Sequence, residues 1–133
     1  MSVVFLDTVG LLALWDESDQ WHAAAADAFQ RIGELRFRLV TTTYVLLECG
    51  NAAARRPYRD DVYALRDTLA KRHELIAPTD EEVDHAWNAY RGAGPTGAGI
   101  VDQVSFVVMR RLGVVQAFTN DKHFVAAGFE TLF

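Results

Sequence analysis

The sequence predicts an α/β protein with a central, mainly parallel sheet. Short apolar blocks alternate with longer segments in which apolar residues recur at helical spacing, the pattern of a doubly wound sheet. The block VVFL at 3–6 is continuously apolar, which is typical of a strand covered on both faces. The chain of 133 residues contains no repeat, low-complexity tract or long linker. We therefore expect one domain over residues 1–133.

Local signals place the elements of the first half of the chain. Thr8 can cap a short helix directly after the first strand, and Trp21 falls on the predicted inner face of the next helix. Pro57 ends a later helix. The predicted elements are a strand at 3–6, a short helix from Thr8, a helix at 19–35, a strand at 37–41, and helices at 43–56 and 59–72.

The second half has equally clear signals. Thr79 followed by three acids is typical of a helix N-terminus, and Gly113 is typical of a helix end. Four glycines between 92 and 99 predict a loop. The predicted elements are a strand at 74–78, a helix from Thr79 on which Trp87 is a core or interface residue, a helix at 100–112, a strand at 114–118, a short helix near 121–127 and an edge strand at 129–132.

Composition excludes several classes of protein. Half of the residues are hydrophobic and 23% are charged, as in ordinary globular domains. The single cysteine, Cys49, cannot form an intrachain disulfide, which suits a reducing compartment. The N-terminus MSVVFLD lacks the basic and long apolar regions of a signal peptide or membrane span. We expect a cytoplasmic protein without a membrane partner.

The charge is unevenly distributed although the net charge is −5. Residues 31–72 hold nine of the thirteen basic residues and five of the eighteen acids, so they carry +4 and the remainder carries −9. One interpretation is a basic surface that contacts RNA through Arg55, Arg56 and Arg59. The alternative is local pairing, as between Asp67 and Lys71 at i,i+4. Charge alone does not decide between them.

Acids follow the predicted strands at the edge where ligands bind in such sheets. Asp7 directly follows the first strand, Asp121 follows the strand at 114–118, and Asp102 begins a helix entered from the glycine loop. Glu48 lies within the apolar helical segment VLLECGNAA. Clustered carboxylates repel one another, and a hard divalent cation such as Mg²⁺ or Mn²⁺ relieves the repulsion. Asp102 and Asp121 taken singly are also consistent with helix caps.

These residues lie in segments that resemble a known family. FLDT at 5–8, LLECGN at 46–51, IVDQVSFVVMRRLG at 100–113 and AFTNDKHF at 117–124 resemble the successive motifs of PIN-domain ribonucleases, above all VapC-type toxins. The resemblance implies a three-layer α/β/α PIN-like fold, cleavage of RNA with Mg²⁺ or Mn²⁺, a VapB-like antitoxin and a homodimer. It assigns catalysis and metal binding to Asp7, Glu48, Asp102 and Asp121, and supporting roles to Thr8, Thr119 and Asn120.

One departure from the family and two rival functions remain open. The segment before the third acid often carries a serine and charged residues in the family, whereas this chain has GAGPTGAGIVD with Gly99 near the serine position. The absence of these side chains from the loop favours a second interpretation, a PIN-like module that binds RNA or a partner without cleaving it. A haloacid-dehalogenase-like phosphatase is disfavoured, because the position two residues after Asp7 is Val9 rather than an acid. His123 is interpreted as a surface residue.

Overall fold

The fold is a five-stranded, all-parallel sheet flanked by helices. The computed structural model describes residues 2–133. The strands lie in the order β3-β2-β1-β4-β5. The elements are β1 (Val3–Leu6), α1 (Thr8–Trp15), α2 (His22–Glu34), β2 (Arg38–Thr42), α3 (Thr43–Ala53), α4 (Arg59–Lys71), β3 (Leu75–Ile76), α5 (Asp80–Ala93), α6 (Ile100–Leu112), β4 (Gln116–Phe118), α7 (Lys122–Ala126) and β5 (Glu130–Thr131).

The central strand is β1, as its apolar sequence predicts. Val4, Phe5 and Leu6 are fully buried. Phe5 pairs in parallel with Val40 of β2 on one side and with Ala117 of β4 on the other. A strand between two neighbours and covered on both faces has no polar side to present to water, which explains its continuous apolar run.

The strand order places a topological switch point between β1 and β4. The chain leaves β1 in one direction through β2 and β3, and then returns to the other side of β1 to form β4 and β5. Because crossovers between parallel strands are right-handed, this reversal puts α1 to α4 on one face of the sheet and α5 to α7 on the other. The predicted three-layer α/β/α architecture is therefore confirmed, and the switch point, where such sheets bind ligands, lies at the carboxyl ends of β1 and β4.

The structure corrects two predictions about helix N-termini and inner faces. Asp7, rather than Thr8, caps α1, since its side chain accepts a hydrogen bond from the backbone N–H of Val9. Trp21 precedes α2 and is 48% exposed, and Trp87 is 50% exposed and packs edge to face with Tyr90. Ala25, Ala28 and Ile32 of α2 and Ala86 of α5 are buried instead.

Other helix ends follow the sequence signals. Thr79 and Glu82 form a reciprocal capping box at the start of α5. Gly113 ends α6 in the left-handed conformation, with φ of 69°. The predicted and observed bounds of the elements differ by at most three residues. Within residues 2–133, every helix is too short or too polar to cross a membrane.

Candidate metal centre

Asp7 lies at the carboxyl end of β1 and is the most buried acid of the site, with 1% of its surface exposed. Its Oδ2 atom accepts hydrogen bonds from the Thr119 hydroxyl at 2.8 Å and from the Val9 backbone N–H at 3.3 Å. Its Oδ1 atom is also buried, and no donor within residues 2–133 contacts it. Burial raises the pKa of Asp7 to about 6, an effect that the hydrogen bonds oppose and the charge of Asp121 increases.

Asp102 lies in the first turn of α6 and is half-buried. Burial and, to a smaller extent, the charges of Asp7, Asp121 and Glu48, in that order, raise its pKa to about 7. Since the charges of all three acids raise the pKa of Asp102, the four carboxylates lie near one another. The fold thus brings together the four acids that the sequence places far apart.

Thr119 links two of these acids from the end of β4. Its hydroxyl donates to Asp7 and accepts a hydrogen bond from the backbone N–H of Asp121 at 3.1 Å. Asp121 in turn caps α7 by accepting from the backbone N–H of His123 at 2.9 Å. Asp121 therefore caps a helix and belongs to the acidic cluster at the same time. Among residues 2–133, the side chain of Asn120 takes no part in these hydrogen bonds.

Glu48 reaches the site from α3 and is the exposed member of the cluster. The hydroxyl of Thr8 donates a hydrogen bond of 2.7 Å to its Oε1 atom. Thr8 begins α1 and Glu48 lies one turn into α3, so this contact fixes the carboxylate across two helices. Thr8 thus supports Glu48, as Thr119 supports Asp7.

His123, interpreted from the sequence as a surface residue, is partly exposed, with 32% of its side chain accessible, and lies beside the acidic cluster. Its Nδ1 atom lies 3.0 Å from Asp121 Oδ1, and its Nε2 atom lies 3.3 Å from the Thr96 carbonyl oxygen. Asp102, Asp121 and His123 offer ligand atoms that lie within 4.8 Å of one another. The Thr96 carbonyl and the nearby carboxylates raise the pKa of His123. The sequence signal that could have indicated this contact is the position of His123 two residues after Asp121, the acid that caps α7.

The three arginines interpreted as RNA contacts do not form a uniform group. Arg56 forms a 3.2 Å ion pair with Asp16 and lies over the ring of Tyr58. In the described part of the chain, neither Arg55 nor Arg59 forms a salt bridge. Local pairing therefore accounts for Arg56 and leaves the other two guanidinium groups available.

The donor set fits a divalent cation. The four carboxylates repel one another although His123 lies beside Asp121, and the raised pKa values of Asp7 and Asp102 reflect burial together with that repulsion. The buried, unpartnered Oδ1 atom of Asp7 is the strongest sign, since a buried oxygen without a donor is unfavourable unless something else binds it. Cys49 offers no alternative nucleophile, because burial raises the pKa of its thiol to about 12.

The fold and the site define an α/β protein with a cluster of carboxylates at the switch point of a parallel sheet. The PIN domain family model matches residues 4–130, and the chain therefore belongs to the PIN domain family. No curated protein sequence matches the chain significantly.

Solved structures are similar over nearly the whole chain. VapC20 of Mycobacterium tuberculosis, described as a toxin that cleaves the sarcin-ricin loop, is 27% identical, with a TM-score of 0.76 over 96% of both chains. DNA-bound VapBC of Salmonella typhimurium is 16% identical, with a TM-score of 0.63 over 98% of this chain and 97% of the other. FitAcB of Neisseria gonorrhoeae is 12% identical, with a TM-score of 0.58 over 98% and 96%. The last two similarities concern the fold alone.

Proposed function

We propose that this chain is an endoribonuclease that hydrolyses RNA phosphodiester bonds with a divalent cation, Mg²⁺ or Mn²⁺, held by Asp7, Glu48, Asp102 and Asp121. The buried and unpartnered Oδ1 atom of Asp7, among three further carboxylates, carries the proposal. When bound, the cation would lower the pKa of a water molecule and neutralise charge that develops on the phosphodiester.

The chain's own residues prepare that chemistry. Thr119 orients Asp7 through a buried hydrogen bond, and Thr8 orients Glu48. Such support limits the motion of carboxylates that would otherwise turn away from one another. Asp102, with a pKa of about 7, is partly protonated at neutral pH before a cation binds, and it loses that proton on binding. Asn120 stays a weaker candidate for a supporting role.

The biological role that fits best is that of the toxin in a toxin–antitoxin pair. The similarity to VapC20, described as a toxin that cleaves the sarcin-ricin loop, supports it. A VapB-like antitoxin is the expected protein partner, RNA the substrate, the cytoplasm the location and a homodimer the working form. Of the three arginines, Arg55 and Arg59 are the better candidates to contact RNA phosphates, since neither forms a salt bridge within residues 2–133.

The test is cleavage of a structured ribosomal RNA fragment by the purified chain. Cleavage should require Mg²⁺ or Mn²⁺ and should stop in excess chelator. Asp102→Asn should abolish it, whereas the matched variant Asp84→Asn, which changes an exposed acid of α5, should cleave like the parent. Cleavage that persists in chelator would exclude the metal mechanism. RNA binding without cleavage under any cation would instead support the non-cleaving module, which the glycine loop favours.

A further inference from the structure

The imidazole of His123 joins the glycine loop to the acidic cluster. His123 lies in the first turn of α7, two residues after the capping residue Asp121. One ring nitrogen, Nδ1, faces Asp121 Oδ1 at 3.0 Å, and the other, Nε2, faces the carbonyl oxygen of Thr96 at 3.3 Å. Each nitrogen therefore has a defined neighbour, one on the cluster and one on the loop.

This arrangement is the one that metal-binding histidines adopt. A histidine ligand generally donates its second ring N–H to a carboxylate or a backbone carbonyl, which fixes the tautomer and the ring orientation. With Nε2–H donating to Thr96, the lone pair of His123 Nδ1 points towards the cluster. Two ligands at adjacent corners of an octahedron with bonds of about 2.1 Å are about 3.0 Å apart, which matches the separation of Nδ1 from Asp121 Oδ1.

The surroundings supply the other ligands. Asp102 and Asp121 each offer an oxygen within 4.8 Å of the other and of a His123 nitrogen. Independently, Asp7 is 1% exposed and its Oδ1 atom has no donor within residues 2–133. The Thr119 hydroxyl bonds both Oδ2 of Asp7 and the backbone of Asp121, which places the carboxyl group of Asp7 beside the same group of residues.

We propose that Nδ1 of His123 is a ligand of the divalent cation, together with Asp102 and Asp121, and that it makes the site prefer Mn²⁺ to Mg²⁺. The inference rests on the proposed metal-dependent function and extends its ligand set. Imidazole nitrogen suits transition metals, whereas Mg²⁺ strongly favours oxygen. Through Nε2–H, the same ring would also hold Thr96 and thereby the loop next to the cation.

Pulsed electron paramagnetic resonance of the chain loaded with Mn²⁺ tests the contact directly. A coordinated imidazole modulates the Mn²⁺ echo through its ¹⁴N nucleus, and the pattern changes when histidine is labelled with ¹⁵N. The parent should show this modulation and His123→Gln should lose it. His85→Gln, which changes an exposed histidine of α5, is the matched control and should retain it.

Binding selectivity gives a second readout. His123→Gln should weaken Mn²⁺ binding by about tenfold to a hundredfold and change Mg²⁺ binding much less, so that the preference for Mn²⁺ narrows. Titration calorimetry of the parent, His123→Gln and His85→Gln measures the affinities for Mn²⁺ and Mg²⁺. An equal loss for the two cations would overturn the proposed selectivity.

The outcomes separate this inference from the proposed function. If the parent binds Mn²⁺ without a ¹⁴N signal while Asp102→Asn abolishes binding, His123 is not a ligand and the carboxylate mechanism stands. If the parent binds no divalent cation, both proposals fail. Because the spectrum of the parent alone decides whether nitrogen is coordinated, the result does not depend on how well His123→Gln folds.

Discussion

The hydroxyl of Thr119 connects two acids that lie 114 positions apart in the sequence. It donates to Asp7 at 2.8 Å and accepts from the backbone of Asp121 at 3.1 Å. Both contacts are shielded from water, because Thr119 is fully buried. A hydrogen bond to a buried charged group is worth about 1.5–3 kcal/mol, so this one hydroxyl contributes strongly to the geometry of the cluster.

Thr119→Val keeps the side-chain shape and removes both hydrogen bonds. We expect Mn²⁺ affinity and RNA cleavage to fall by about tenfold to a hundredfold, the usual effect of losing a group that orients a metal ligand. Thr119→Ser retains the hydroxyl and should stay close to the parent. Calorimetric titration and cleavage rates measure the two effects. Equal behaviour of the valine and serine variants would show that the hydroxyl does not position Asp7.

Asp7→Asn distinguishes a metal-binding carboxylate from a structural one. Burial raises the pKa of Asp7 from 3.8 to about 6, so the folded state takes up a proton at a higher pH than the unfolded state. In chelator, this residue therefore adds stability as the pH falls from about 7 towards 4, and it destabilises the fold at neutral pH. A pKa unit corresponds to about 1.4 kcal/mol. At neutral pH in chelator, Asp7→Asn should therefore be more stable than the parent by up to about 3 kcal/mol, because asparagine is uncharged.

Metal offsets this difference in stability. A saturating cation at a hundredfold excess over Kd stabilises the parent by about 2.7 kcal/mol, and Asp7→Asn should lose most of that gain. Urea unfolding at about pH 5 and about pH 7.5, with chelator and with Mn²⁺, measures both effects. A variant much less stable than the parent in chelator, yet equally responsive to Mn²⁺, would place Asp7 outside the metal site.

The sequence identified the acids of this cluster but not all of their contacts. Asp7 was recognisable because an acid next to a fully apolar strand is unfavourable unless it is bound. His123 was not, because its role depends on the Thr96 carbonyl, which lies 27 positions earlier in a loop whose path no local pattern specifies. The cap of α1 was assigned to Thr8 instead of Asp7, since both residue types are good caps and only the backbone geometry distinguishes them.

At the scale of elements, the close approach of α1 to β4 builds one wall of the site. Gly10 lies in the buried part of α1. A Cβ atom at Gly10 would come within 2.8 Å of the Phe118 carbonyl carbon and nearer still to its oxygen. Glycine therefore permits helix and strand to touch, and the contact brings Asp7, at the start of α1, next to Thr119, at the end of β4.

Gly10→Ala should therefore destabilise the chain, because the clash is with backbone that cannot rotate away. We expect a loss of about 1–3 kcal/mol or more, together with a loss of cleavage as Asp7 and Thr119 separate. Gly50→Ala is the matched control in α3, where an added Cβ meets nothing within 4 Å. It should stabilise the chain by about 0.5–1 kcal/mol. Denaturant unfolding compares them, and similar midpoints would contradict the packing argument.

Element types were predictable where a signal was local. The capping box at Thr79 and the left-handed Gly113 act within a few residues, and both mark helix ends as predicted. The burial of single aromatic residues, by contrast, could not be predicted from a local signal. Trp21 and Trp87 follow helical spacing but are half exposed, so helical spacing alone does not determine whether an indole is buried.

At the scale of the whole molecule, the parallel sheet explains why distant acids meet. Alternating strands and helices predicted parallel pairing, and parallel strands present their carboxyl ends on one edge. The order β3-β2-β1-β4-β5 was not predictable, since the alternation is compatible with several orders. That order puts β1 and β4 side by side and thereby places Asp7 beside Thr119.

The charge of the whole chain poses a separate question, because a net charge of −5 opposes binding to RNA. The segment 31–72 carries +4 and is the part of the chain best suited to phosphate contacts. Arg56 is already paired with Asp16, whereas Arg55 and Arg59 form no salt bridge within residues 2–133. The structure therefore divides the three arginines into two groups that an experiment can compare.

Replacing Arg55 and Arg59 together with alanine should weaken RNA binding and flatten its salt dependence. Each lost phosphate contact on a single strand lowers the slope of log K against log salt by about 0.7, so the double variant should lose about 1.4. Arg56→Ala should leave the slope unchanged, because its guanidinium is engaged by Asp16. Binding is measured in chelator, which prevents cleavage, over a series of salt concentrations. An unchanged slope in the double variant would mean that RNA reaches the acidic cluster over another surface, and a reduced slope in Arg56→Ala would mean that RNA displaces Asp16.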